Sequence, residues 1–145
     1  MKTKKICIVL LSVVVLMIGM LVPHTNSFAS TRKDITIWSI RDNEMKYHKA
    51  YWSTEYIPNC DWENIIGGGK RHSITISKNC KFYTYNFMKM RPNRKSVSKS
   101  KFVKSTGANS ARTYRSNGKK YYGGIYCIIT ISKGKVIKVV QQYQA

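Results

Sequence analysis

Beyond residue 63 the sequence contains no acidic side chain. All six carboxylates, Asp34, Asp42, Glu44, Glu55, Asp61 and Glu63, precede that point, and from Ile65 onward there are eighteen Lys and Arg. The chain has no acids there to neutralise its own cations, and the imbalance exceeds what solubility requires. Other signatures are missing as well. There is no Gly-x-Ser-x-Gly elbow, and Gly67-Gly68-Gly69-Lys70 is not a phosphate loop, which removes the common hydrolase and nucleotide-binding motifs. No Cys-x-x-Cys knuckle occurs. The spacings between Cys60, His72 and Cys80 match no compact ligand set, so no metal site is expected. Nor does the sequence imply a cofactor. After residue 29 no apolar stretch is long enough to span a bilayer.

Residues 1–29 have the layout of a secretory signal. Lys2, Lys4 and Lys5 form a basic start, Ile6 to Val22 an apolar run, and Ser27-Phe28-Ala29 a small-residue cleavage site. Cleavage after Ala29 leaves residues 30–145 as a single secreted cationic β-rich domain, extracellular or associated with the cell wall. The formal charge of +20 falls to +17 once the three leader lysines are removed. A field of that size attracts polyanions and makes their binding salt-sensitive. Outside a cell those are anionic headgroups, wall polymers bearing phosphate or carboxylate, and nucleic acid.

Cys60, Cys80 and Cys127 remain after processing. Three thiols in an oxidising compartment imply one disulfide and one left over. Cys127 shares a strand face with Ile125, Ile129 and Ile131 and reads as a buried core thiol. Cys60 and Cys80 each follow Asn in turn-like contexts and form the better pair.

Hydrophobic alternation with period two predicts an all-β fold. The expected form is a small antiparallel β-sandwich or barrel of about seven strands with a C-terminal meander, preceded by the signal-peptide helix. Strands are expected at Ile35–Ile40, Ala50–Ile57 and Arg71–Ser77. Arg41–Lys49 has no clear apolar stripe and suggests a loop or a short helix capped by Asp42. Gly67-Gly68-Gly69 suggests a flexible break. Lys78-Asn79-Cys80 suggests a hairpin turn into Lys81–Met90. Asn117-Gly118 is the strongest turn signal, because a type I′ turn needs positive φ at both central positions. Gly123-Gly124 suggests a bulge or a close backbone approach. Ser132-Lys133-Gly134 turns the chain into Lys135–Tyr143, where Ile137 and Val139 alternate with Lys138.

The basic segment Arg91–Lys104 carries Arg91, Arg94, Lys95, Lys99, Lys101 and Lys104 among small hydroxyl residues, and reads as an exposed loop. With Lys119 and Lys120 it forms the candidate anion-binding set, suited to delocalised charge arrays. Tyr83, Tyr85, Tyr114, Tyr121, Tyr122 and Tyr126 are interleaved with these cations and offer a stacking platform. A secreted ribonuclease is the alternative. It would need His48, His72 and Glu63 as acid and base beside a cation. A third reading is an inhibitor or immunity-type partner of another exported protein. The format resembles secreted bacterial cationic proteins, including bacteriocin-like β-domains. Attachment to an anionic polymer or membrane surface, with antimicrobial action as its concrete form, is the principal expectation.

Overall fold

The computed structural model describes residues 29–53 and 65–144. Within them the chain is mostly β: β1 (Thr31–Arg41), β2 (Glu44–Trp52), β3 (Ile65–Tyr83), β4 (Tyr85–Asn86), β5 (Arg91–Pro92), α1 (Lys99–Thr106), β6 (Arg112–Ser116), β7 (Lys119–Gly123), β8 (Ile125–Ser132) and β9 (Lys135–Gln141). The seven-stranded sheet has the order β2-β1-β8-β9-β3-β7-β6, and β2 also pairs with β3. That extra ladder closes five strands, β1, β2, β3, β9 and β8, into a ring. All ring pairings are antiparallel except β3 with β9, which run parallel. An all-antiparallel sheet was expected. The parallel pair arises because helix and hairpin segments separate β3 from β9, and a crossover of that length can return in the same direction.

Arg41–Lys49 is neither loop nor helix. Asp42 takes φ 48 in a tight turn, and β2 follows at once. Met45 and Tyr47 enter the core, while Glu44 and Lys46 face solvent. The apolar stripe is there, carried by a methionine and an aromatic instead of branched aliphatics. The Gly67-Gly68-Gly69 segment also departs from expectation, since it lies inside β3. A Cβ at Gly67 would collide with Thr36 Oγ1, sit 2.8 Å from His48 Cβ and approach the Tyr122 carbonyl at 3.0 Å. Glycine here lets β1, β2 and β7 approach β3. Lys78-Asn79-Cys80 does not turn the chain either. β3 runs through it, and the irregularity appears as a register shift against β9 between Ile76 and Lys81.

The Asn117-Gly118 hairpin forms as expected, with φ of 49 and 72. The C-terminal meander does not. At Gly124 the chain passes so close to the Ile37 carbonyl that a side chain would clash. There it leaves the β6–β7 hairpin, which joins β3 at Gly67↔Tyr122, and β8 instead inserts between β1 and β9. A shift between Thr130 and Ile131 changes which β9 residues face inward. Val136 and Val139 are buried, and Ile137 is exposed.

The core gathers Ile35, Ile37, Met45, Ile76, Cys127 and Ile129 inside the ring. Cys127 is fully buried, as its strand position implied, and burial raises its thiol pKa strongly. Phe102 of α1 is also fully buried, its ring 5.2 Å from that of Phe82. The second half of the Arg91–Lys104 segment is therefore helix, not loop. Ser98 caps it by accepting from the Lys101 amide, and Gly107 ends it at φ 65. Asn109 then fastens the following turn to β1, accepting from Ile40 N at 2.7 Å and donating to Ile40 O at 3.1 Å. Residues 1–28, 54–64 and Ala145 lie outside the described residues, and the signal-helix, Cys60 and Glu63 expectations fall there.

Candidate anion-binding surface

Where β3 ends, the backbone enters a short β4–β5 hairpin. Tyr85 N donates to Gln141 Oε1 at 2.8 Å, Asn93 N to Thr84 O at 2.9 Å, and Val97 N to Phe82 O at 2.8 Å. Within the hairpin, Lys89 N donates to Asn86 Oδ1 at 3.0 Å and Asn93 Nδ2 to Thr84 Oγ1 at 2.9 Å. Asparagine and threonine thus replace a long ladder, and Met90 takes φ 47 to complete the turn. The hairpin folds over a recess of about 350 Å³ whose lining includes Lys89, Arg91, Arg94 and Lys95 and no acid. Four cations around one concavity repel one another, so an anion placed there relieves a strain that solvent alone only screens.

The structure divides the cationic set instead of uniting it. Arg91, Arg94 and Lys95 meet at the recess, joined by Lys89, which lies in the β4–β5 turn and not in an extended Lys81–Met90 strand. Lys99, Lys101 and Lys104 lie on α1. Lys99 Nζ donates to the Asp42 carbonyl and faces Asn43 Oδ1 at 3.4 Å, so it clasps the β1–β2 turn. Lys119 and Lys120 lie on the β6–β7 hairpin, which joins β3 at Gly67, whereas the recess lies beyond its far end at Tyr83. There Arg115 is directly opposite Lys120, and Lys120 Nζ sits 5.7 Å from the Tyr122 ring. The tyrosines likewise form no single platform. Tyr121 is buried, Tyr122 stacks on His48 at 3.8 Å, and Tyr83 lies under Lys138 at 5.2 Å. Tyr126 donates to Asp34 at 2.8 Å, and burial followed by that bond pushes its phenol up to about 12.

The two histidines are held apart. His72 stacks on Tyr47 at 5.3 Å, and the next residue along β2, His48, stacks on Tyr122. Consecutive strand residues face opposite sides, so the imidazoles do not converge on one substrate. His48 is 1% exposed. Arg71 Nε donates to its Nε2 at 3.3 Å, which leaves the ring proton on Nδ1, 3.3 Å from the Gly69 carbonyl. Burial chiefly, then the Arg71 and His72 charges, lower its pKa, against the Gly69 hydrogen bond. The same guanidinium lies 4.0 Å from the Trp38 ring. Trp38, Arg71, His48 and Tyr122 are thus the stack that holds the β6–β7 hairpin on the five-strand ring.

A second, larger concavity of about 690 Å³ lies along β1, β2 and β8, with Lys33, Lys49, Trp52 and Tyr126 on its walls. Asp34 also lines it, so its charge is mixed. Cys80 carries a free thiol, pushed up to about 12 by burial despite nearby Lys99, and its expected partner Cys60 is not among the described residues. Among the described residues no three His, Cys, Asp or Glu side chains group to hold a metal ion. No helix there is long and apolar enough to cross a membrane. Comparison with protein-family models, curated proteins and solved structures gives no match.

Proposed function

We propose that this chain is an exported cationic protein that attaches to an anionic surface or polymer of a cell envelope, with a bacteriocin-like antibacterial action as its concrete form. The leader at residues 1–29 carries it to that compartment, and the mature domain works there or at the wall. The observation that supports this reading is the convergence of Lys89, Arg91, Arg94 and Lys95 on one acid-free recess. Arginine supplies forked donors that match phosphate and carboxylate, and lysine supplies a mobile point charge beside them. We read the five-strand ring with its parallel closure as a barrel of the OB type, an architecture used for oligonucleotides and oligosaccharides. That likeness is an analogy of connectivity and assigns no residue.

Binding of the purified protein to immobilised polyphosphate and to isolated anionic wall polymer tests the reading. Affinity should fall steeply from low salt to about 0.5 M, where the Debye length is only a few Å. The R91A/R94A/K95A variant should bind at least about tenfold more weakly, with a salt slope lower by about two to three counterions. Removing the same charge elsewhere, as K70A/R112A/K135A, should cost markedly less. Equal losses in the two variants would reduce the recess to one part of a diffuse field. Salt-independent binding would overturn the reading.

A further inference from the structure

The turn between β4 and β5 places apolar side chains where a soluble protein normally places polar ones. Phe87, Met88 and Met90 are 57%, 94% and 58% exposed. Tyr143, on the C-terminal tail beside them, is 44% exposed. Four of the seven exposed large apolar side chains among the described residues thus lie in one small region, and the clustering calls for a cause that scattered exposure would not. Their arrangement is ordered. Phe87 packs edge-on against Tyr85 at 5.2 Å and lies 6.5 Å from Tyr143, and Tyr85 and Tyr143 are 5.9 Å apart. This aromatic base, with the Asn86 bond to Lys89 N, holds Met88 and Met90 outward at the tip. Lys89 lies between the two methionines in the chain, Arg91 pairs with Asn86 at the base of the turn, and both line the recess with Arg94 and Lys95.

We propose that the Phe87–Met90 tip inserts into the outer layer of an anionic lipid bilayer while the recess cations bind its headgroups. The side-chain chemistry commits to lipid. Methionine and phenylalanine suit the acyl boundary, tyrosine suits the headgroup level, and the surrounding cations suit phosphate, in that order from the tip inward. A soluble anionic polymer would engage the cations and leave the tip bare. The inference rests on the proposed attachment to an anionic envelope target and names the bilayer as that target.

The test is sedimentation with vesicles of phosphatidylcholine alone and with 30% phosphatidylglycerol, run beside polyphosphate binding. The protein should partition onto the anionic vesicles and not the neutral ones. F87S/M88S/M90S should lose at least about tenfold in vesicle affinity while its polyphosphate affinity stays within about twofold. An unchanged urea-unfolding midpoint for that variant shows that it is folded. An independent readout is M88W, whose extra tryptophan emission should shift to the blue and be quenched by chain-brominated lipid, relative to the unsubstituted protein. Unchanged vesicle binding by the serine variant, or unquenched M88W, would overturn insertion and leave the polymer reading standing. If the unsubstituted protein binds neither vesicles nor polyphosphate, both fail together. A concentration-dependent dimer abolished by the serine substitutions would assign the tip to a second copy of this chain and overturn the lipid proposal.

Discussion

Replacing Phe102 by alanine probes the least expected element of this structure, the helix in the middle of a lysine-rich segment. α1 has eight residues, well short of the roughly 12–15 at which an isolated helix becomes even marginally stable in water. It therefore stands on its cap and on the one side chain it buries completely. Phe→Ala at a fully buried site costs about 3–5 kcal/mol, through lost transfer energy and the cavity left behind. The Phe82 ring at 5.2 Å loses its partner at the same time. Against a total of about 5–15 kcal/mol for a typical domain, that loss is large. Urea unfolding followed by tryptophan fluorescence should show a strongly lowered midpoint with little change in slope. Phe102→Leu should cost less than about 1.5 kcal/mol, and Lys101→Ala, on the exposed side, should stay within about 0.5 kcal/mol. A Phe102→Ala loss below about 1 kcal/mol would refute the claim that this helix closes the core.

Gly67→Ala should destabilise by about 1–3 kcal/mol, the usual cost of overpacking, because the Tyr122 carbonyl and the His48 Cβ flank the new methyl. The same urea assay checks it, with Gly134→Ala as a comparison in which strain at φ 71 replaces the clash. Stability should also fall as pH drops below 6.5, the ordinary histidine value. The folded-state pKa of His48 is depressed, so the unfolded chain takes up the proton first and is favoured through that window. His48→Gln should flatten the difference between midpoints at pH 7.5 and 5.5, and an unchanged difference would show that other groups cause it. Finally, a Cys60→Ala variant of residues 30–145, which excludes Cys7, should react slowly with iodoacetamide at pH 8. With the Cys80 thiol near 12, roughly one molecule in ten thousand carries a thiolate there, and Cys127 is buried. Stoichiometric labelling within minutes would contradict that placement.

Local signals read well from the sequence wherever the physics was local. Asn117-Gly118 turned the chain as its dihedral preferences demand, and the Cys127 face fell inward with Ile129. Lys78-Asn79-Cys80 misled because a register shift can absorb turn-prone residues without ending a strand. Arg91–Lys104 misled because a helix this short shows too few apolar positions for its periodicity to stand out. The recess was legible in part. Arg91, Arg94 and Lys95 are evident as charges, but Lys89 falls within the strand-like alternation of Lys81–Met90, and the exposure of Phe87, Met88 and Met90 leaves no trace in the sequence. An apolar residue in a sequence carries no mark of whether it is covered.

Composition and periodicity alone settled the net charge, the dominance of strands and the main turn, since these depend on side-chain chemistry and on neighbours a few residues away. Only the tertiary structure decided that β3 meets β9 in parallel, that the cations separate into distinct groups, and that one hairpin holds its apolar tip in solvent. Each of those depends on contacts between residues far apart in the chain, such as Tyr85 with Gln141 or Gly67 with Tyr122. Pairings of that kind are chosen by packing the whole core at once, and no short window of sequence contains them.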